Sequence, residues 1–447
     1  MFDIRPTVNS RRIAVIGSGY VGLTLSASLA LLGHEVECTD HSLERITQLA
    51  QGQLPIVEEG VAEVVGQMLA AGRLRFASDN GLAAERADFV FLCLPTPMGA
   101  DGWADLSFVQ KVAAEIGPRL RPGATVITKS TVPVGTGEMV RDTLARDDVQ
   151  VASNPEFLAE GSALRDCLHP DRIVVGASSE AVARNVADLY GPFAHSRLIL
   201  TDIPSAELIK YASNAYLAVR LTFVNSMAEI CETTGADIRS VVAGMGSDHR
   251  IGKAFLRPGP GWGGSCFPKD TEALVRTAGS LGCDLSLVET AIAANARHTQ
   301  RVVNKVAAIV DGQVAGKRIA VWGLTFKAGT DDRRQSPALE IARQLVALGA
   351  SVHAYDPTVP AGIVQGLEVH SSAISACRDA DALIVGTEWA EFGSVDLAVL
   401  GAVMSRRVIL DTRNVIDPAA AVSEGFTYAG IGIPTQAPAE QDAGVAV

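Results

Sequence analysis

Arg12-Ile-Ala-Val-Ile-Gly17-Ser-Gly-Tyr-Val-Gly22 is the stretch that decides the fold. A short apolar strand runs into glycines spaced Gly-x-Gly-x-x-Gly. Thr24 to Leu32 then carries helical spacing, Gly33 ends it, and Glu35-Val-Glu-Cys-Thr39 closes on Asp40. Strand, turn, helix and a second strand ending on a carboxylate make a dinucleotide-binding unit. Gly17 permits the tight turn, Gly19 lets the backbone approach a pyrophosphate, and Gly22 allows close helix–strand packing. The cradle Gly17, Ser18, Gly19, Tyr20, Val21 and Gly22 offers N–H donors at a helix start to phosphates. Asp40 is expected to accept from ribose hydroxyls and to repel a 2′-phosphate, which favours NAD over NADP. Arg45 joins the cofactor candidates and tempers that preference. Arg11-Arg12 before the apolar run to Leu32 superficially resembles an export signal. Gly17, Ser18, Gly19 and Gly22 break the run, so no export segment or membrane anchor is expected.

Outward from this unit, strand-like runs recur at Phe89–Leu94, Thr125–Lys129, Val149–Ser153 and Ile173–Val175, with helical stretches between most of them. That alternation implies a parallel sheet. From about Ser205 the pattern becomes helical. Ala206 to Cys231 reads as one long helix, Leu285 to Ile309 as another, and between them lies the loop Arg257-Pro-Gly-Pro-Gly-Trp-Gly-Gly-Ser-Cys266. After Gly312 the alternation resumes, and Ile319-Ala-Val-Trp-Gly323 echoes Ile13-Ala-Val-Ile-Gly17. The fold class is therefore α/β: two doubly wound, Rossmann-like domains joined by a central helical domain. The expected boundaries are 1–204 for cofactor binding, 205–312 for the helical centre with its cysteine loop, 313–432 for the C-terminal domain, and a mobile tail over 433–447.

A chain of 447 residues fits about three domains, and 48% hydrophobic residues suffice for sizeable cores. The net charge of -12 argues against a nucleic-acid partner, though helix N-termini and local arginines still allow an anionic substrate. Seven scattered cysteines, an odd number without a CxxC pair, exclude a disulfide framework and give no zinc motif. No metal is expected, and a reducing cytoplasm is the natural compartment.

Chemistry concentrates in a few strings. In Gly263-Gly-Ser-Cys-Phe-Pro-Lys-Asp270 a cysteine stands in a glycine-rich turn. A lone cysteine is more often a buried structural residue. Beside a hydride-accepting cofactor, Lys269 and a helical run from Thr271 suit Cys266 to act as a thiolate, with Asp270 orienting water or taking up a proton. Thr96, Ser130 and Thr131 stand in loops after strands, where doubly wound folds place ligands. In Asn154-Pro-Glu-Phe-Leu-Ala-Glu-Gly161, Glu156 and Glu160 are spaced to share a helical face. The apolar Phe157 beside Glu156 would raise its pKa and suit it to acid/base work. Lys210 and Asn214, four apart on the long helix, are placed to hold an oxyanion. Solvated glutamates and a lysine lying along a helix surface are the plainer readings of the same residues.

Taken in order, these strings resemble the UDP-glucose/GDP-mannose dehydrogenase family, nucleotide-sugar dehydrogenases that oxidise a sugar C6 alcohol to a carboxylate. Thr325-Phe-Lys327, Thr330-Asp-Asp332 and Arg334 extend the resemblance, which spans residues 12 to 415. It implies Cys266 as nucleophile, Glu156 as acid/base, Lys210 and Asn214 as oxyanion donors, and Thr131 with Asp270 positioning water. Glu160, Lys269 and Arg334 would contact the cofactor. Phe157, Leu158, Ala159, Phe255, Leu256, Arg257, Pro258, Gly259, Gly263, Phe326, Lys327 and Arg413 would line the sugar-nucleotide site together with Glu156, Glu160, Lys210 and Asn214. Arg250 matches a position that reaches the partner subunit's substrate, so the central helices are expected to build a homodimer or a higher homo-oligomer. Two NAD would be reduced per sugar. Serine before the cysteine favours UDP-glucose over a UDP-N-acetylhexosamine or GDP-mannose. Trp262, Ala328-Gly329, Arg333 and Gln335 depart from the usual pattern. A non-catalytic sugar-nucleotide sensor would lack catalytic residues, and a 3-hydroxyacid dehydrogenase would reduce one NAD only.

Overall fold

The structure is a computed structural model and describes residues 9–99, 101–195 and 197–438. The chain separates into two compact units. One runs to Asn214 and includes Glu272–Asp284; the other is Ala215–Thr271 with the chain from Leu285.

In the first unit the strands are β1 (Arg12–Ile16), β2 (Glu35–Thr39), β3 (Leu74–Ala77), β4 (Phe89–Leu92), β5 (Thr125–Thr128), β6 (Gln150–Ser153), β7 (Arg172–Ala177) and β8 (Arg197–Thr201). They form one sheet in the order β3-β2-β1-β4-β5-β6-β7-β8. Along β1 the side chains alternate between two cores, as a period of two requires. Ile13 and Val15 pack into one, Ala14 and Ile16 into the other. Burial on both faces explains why β1 is continuously apolar rather than alternating. The sheet is not wholly parallel as expected, because β6 and β7 pair antiparallel. Their connection holds only the six-residue helix Ala163–Leu168, about 9 Å long at 1.5 Å per residue, too short to carry the chain back across the sheet.

The second unit repeats the plan with β9 (Arg318–Trp322), β10 (Ser351–Tyr355), β11 (Gly362–Val364), β12 (Leu367–Val369), β13 (Ala382–Val385), β14 (Val408–Asp411), β15 (Thr427–Gly430) and β16 (Ile433–Gln436). The order is β11-β12-β10-β9-β13-β14-β15-β16. Only the outer pairs, β11 with β12 and β15 with β16, are antiparallel. The expectation of a mobile tail from 433 is corrected at its start. Gly432 turns the chain at φ 70°, and Ile433 is buried in the core beside Ile431 as the tail pairs with β15. Residues 439–447 lie outside the described residues.

The long helix runs from Ile203 to Thr234, several residues beyond each expected end. The helix Ser286–Ile309 is the second long one. Over 205–312 the helices divide between the two units because they enclose no separate core. Val224, Ala228 and Cys231, with Val302, Val303 and Val306, pack into the same core as Ile319, Val321 and Leu339. Among the described residues no helix is long and apolar enough to cross a membrane.

Candidate active site

The first unit carries a cofactor cradle. Gly17 stands at φ 106°, and a Cβ there would lie 2.2 Å from the Cys93 carbonyl oxygen; at Gly22 it would lie 1.8 Å from that of Gly17. Neither position admits a side chain. At Gly19 no atom lies within 4 Å of a Cβ, and this residue caps the helix Tyr20–Leu32 without a side-chain hydrogen bond. Open space before a helix start is what a pyrophosphate needs.

Asp40, buried at the end of β2, accepts from the Ser18 amide at 3.2 Å and the Ser18 hydroxyl at 2.6 Å. Ser42 N–H and the Arg45 guanidinium also donate to it, at 3.0 and 3.3 Å. Burial alone would raise its pKa; the hydrogen bonds and Arg45 outweigh it and hold the carboxyl below its ordinary value. Ser18 and Asp40 thus brace the turn as one unit, so this geometry fits a dinucleotide with free ribose hydroxyls. Asp40→Asn is expected to weaken NAD binding about tenfold through loss of a charge-assisted hydrogen bond. It should also narrow the NAD-over-NADP preference in kcat/KM.

The loops at the carboxyl ends of β4 and β5 are stapled together. Thr96 donates to the Thr131 carbonyl at 2.9 Å and Ser130 to that of Leu94 at 2.7 Å. The register pairs Thr128 with Ser153, which brings the next residues, Lys129 and Asn154, side by side. Buried Lys129 donates to Asn154 at 3.0 Å and to the Tyr190 hydroxyl at 3.0 Å, and Asn154 donates to the Val174 carbonyl. These three residues were given no role above; a lysine directly after an apolar strand is the signal that marks it as buried.

Asn154 to Ala159 is irregular loop and Glu160 lies in a turn, since the helix begins only at Ala163. Glu156 and Glu160 therefore share no helical face. Pro155 and the turn closed by the Leu158 amide, 2.6 Å from Glu156 Oε2, account for this. Glu58 fixes the far end by accepting from the amides of Gly161 and Ala163, both at 2.7 Å.

Glu156 is 6% exposed and Lys210 4%, and Lys210 Nζ lies 2.9 Å from Glu156 Oε1. The expected raised pKa of Glu156 is corrected. Burial does push it up, but the Lys210 charge and the hydrogen bonds bring it below the ordinary value. The Phe157 ring does not isolate the carboxylate; the Arg172 guanidinium stacks on it at 3.7 Å. Asn214, one turn beyond Lys210, is also buried. Three residues before Lys210, Glu207 accepts from the Gly135 and Gly137 amides at 2.8 Å each, tying the long helix to the loop after Thr131. Burial pushes its pKa up to about 7 against those two donors, with Glu138 adding repulsion. The stability it contributes is full below its ordinary value of 4.5 and is lost as pH rises through about 7. Compared with Glu207→Gln, the parent should therefore lose stability across that window, read as urea midpoints.

The second unit carries the cysteine loop. The helix following it starts at Phe267, four residues earlier than expected. The Asp270 amide donates to the Cys266 carbonyl at 2.8 Å, so Cys266 itself stands at the helix N-terminus, where partial positive charge favours a thiolate. Its sulfur is 3.5 Å from Ser265 Oγ. Lys269 Nζ is paired with the fully buried Asp270 at 2.5 Å. Gly263 is packed so tightly that a Cβ would lie 1.9 Å from the Gln335 carbonyl oxygen. Gly264 N–H donates to the Arg334 carbonyl.

The C-terminal binding candidates meet this loop. Arg413 donates to the carbonyls of Phe326 and Gly386 at 2.8 and 3.1 Å and lies 3.0 Å from a Cβ built at Gly259. Lys327 Nζ is 5.9 Å from the Phe326 ring. Arg334 grips Asp332 through two nitrogens at 2.9 and 2.7 Å, leaving its side chain exposed. Residues missed in the sequence hold the loop backbone: Asn225 accepts from Gly259 N–H, His298 donates to the Gly259 carbonyl, and Asn295 brackets Trp262. Trp262 is a buried packing residue, its indole N–H on Thr222. Leu256 and Pro258 are buried, whereas Arg257 is exposed. Phe255 stands at φ 56°, a strained conformation for an aromatic residue and one concentrated at ligand clamps. Arg250 is exposed and paired with Asp248.

The Gly17–Gly22 turn at a helix start, with Asp40 after the next strand, marks a dinucleotide-binding protein. Three family models match: the UDP-glucose/GDP-mannose dehydrogenase family NAD binding domain over residues 11–194, its central domain over 204–297 and its UDP binding domain over 320–418. The UDP-glucose 6-dehydrogenase of Rhizobium meliloti is 43% identical over 435 residues, covering 95% of this chain and all of that protein. That of Pseudomonas aeruginosa is 40% identical over 442 residues, 95% and 98% of the two chains. Among solved structures, a UDP-glucose dehydrogenase from Pyrobaculum islandicum superposes with a TM-score of 0.87 at 33% identity, covering 96% of this chain and 99% of its own. A UDP-D-ManNAc dehydrogenase from Pyrococcus horikoshii does so at 0.85 and 28%, covering 94% and 99%. The chain belongs to the UDP-glucose/GDP-mannose dehydrogenase family, and its cofactor is NAD.

Proposed function

We propose that the protein oxidises UDP-glucose to UDP-glucuronate in two NAD-dependent steps. The observation that carries this is the full-length likeness to UDP-glucose 6-dehydrogenases together with Ser265-Cys266 at a helix start. NAD supplies the acceptor for two hydrides from the sugar C6. Glu156, kept ionised by Lys210, takes the alcohol proton. Lys210 and Asn214 donate to the oxygen of each tetrahedral species. The Cys266 sulfur bonds to the aldehyde carbon as a thiohemiacetal, and loss of the second hydride leaves a thioester. Water, positioned by Thr131 and Asp270, adds to the thioester carbon and releases carboxylate and thiol. The balance is one alcohol, one water and two NAD consumed for one carboxylate, two NADH and three protons.

The cofactor is held by the Gly17–Gly22 cradle, Asp40, Arg45, Thr96, Ser130, Thr131, Glu160, Lys269 and Arg334. Phe157 to Ala159, Phe255 to Gly259, Gly263, Phe326, Lys327 and Arg413 line the sugar-nucleotide site. The working form is a homodimer or a higher homo-oligomer built on the central helices. Tyr216, Phe223 and Ile230 on the long helix, each seven residues apart, are exposed in a single chain, and an exposed apolar row of this spacing supports an association face. Arg250 then serves the partner's substrate. Seven free cysteines support a cytoplasmic location. NADH formation with a panel of nucleotide sugars tests the reading. Turnover with UDP-glucose is expected; turnover only with a UDP-N-acetylhexosamine or GDP-mannose would contradict it.

A further inference from the structure

Three side chains outside the proposed reaction converge on the second sheet. His353 on β10 stands directly across from Glu368 on β12. His370 follows Glu368 by two positions, so the strand period puts both on the side that His353 faces. The His370 amide donates to the Ala354 carbonyl at 2.8 Å and extends the ladder that fixes this register.

Their ligand-type atoms form a small triangle. His353 Nδ1 is 2.9 Å from His370 Nε2 and 3.3 Å from Glu368 Oε2, and His370 Nε2 is 3.5 Å from Glu368 Oε1. Around a tetrahedral zinc ion with bonds of about 2.0–2.1 Å, neighbouring ligand atoms lie about 3.3 Å apart. Ser351, two positions before His353 on the same strand, places its hydroxyl 3.0 Å from His353 Nε2. With His353 Nε2 protonated and donating to that hydroxyl, Nδ1 keeps its lone pair for the triangle. His353 is 5% exposed and Glu368 54%, so the group has a buried floor and an open side. Two imidazoles and a carboxylate leave one coordination position for water, the donor set of an open zinc site.

We propose that His353, Glu368 and His370 form a binding site for one divalent transition-metal ion of the zinc type. The ligands are His353 Nδ1, a Glu368 carboxylate oxygen and His370 Nε2. No cysteine takes part, and the two histidines are 17 positions apart, which is why cysteine spacing gave no hint of it.

The test is a Co²⁺ titration of the chelator-stripped, untagged full chain, followed by displacement with Zn²⁺. Carrying Cys266→Ser in every sample removes the reactive thiol as a competing ligand. The expected result is one equivalent bound, with visible ligand-field bands and no thiolate charge-transfer band. Glu368→Gln, a half-exposed site whose folding is checked by circular dichroism, and His370→Gln should each weaken binding by about tenfold or more. No binding, a thiolate band, or equal affinity in parent and Glu368→Gln would overturn the proposal.

Discussion

Cys266→Ser is expected to lower UDP-glucuronate formation by about three orders of magnitude or more, with the fold intact. A hydroxyl at the start of the helix Phe267–Ser280 gains little from the partial positive charge there, because its ionisation lies far above that of a thiol. Oxidation of the alcohol does not use the sulfur. The variant should therefore still reduce NAD to the extent that the aldehyde forms, while the thioester and the acid do not follow. Rapid-mixing measurements of NADH against acid product separate the two steps. Sulfur and oxygen are close in size, and the position is only partly buried, so the thermal midpoint should scarcely move.

Lys210→Ala is expected to lose both stability and activity. Its ammonium is the counter-charge 2.9 Å from a carboxylate that is almost fully out of water. Removing one member of such a pair costs about 3–5 kcal/mol, since the other is left buried and uncompensated. Loss of an oxyanion donor should cost about 100- to 1,000-fold in kcat. The double variant Glu156→Gln/Lys210→Met separates these effects. With no charge left to strand, it should regain most of the lost stability and none of the activity. Urea denaturation and steady-state rates on the two variants check this; equal stability of Lys210→Ala and parent would show that the pair does not carry the local structure.

Which parts were legible follows from how local their causes are. The cradle Gly17–Gly22 was readable because each glycine answers a contact within one strand–turn–helix unit, down to the Cys93 carbonyl that excludes a Cβ at Gly17. The long helix was readable because its interior carries neither glycine nor proline. By contrast, the low pKa of Glu156 depends on Lys210, 54 positions away in sequence (210 minus 156). A neighbouring Phe157 suggested the opposite sign. Glu58, which anchors Gly161 and Ala163 from over a hundred positions away, had no local mark at all. The antiparallel turn of β7 against β6 was hidden for a similar reason, since a six-residue helix looks much like the start of an ordinary crossover. The cysteine helix starts ahead of Pro268 rather than at Thr271, because proline is well tolerated in a first helical turn.

The central claim, a four-electron oxidation through one cysteine, is tested most directly by counting NADH formed per UDP-glucose consumed when NAD is in excess. Two NADH are expected for each UDP-glucuronate released. A ratio of one, with an aldehyde as the product, would contradict it.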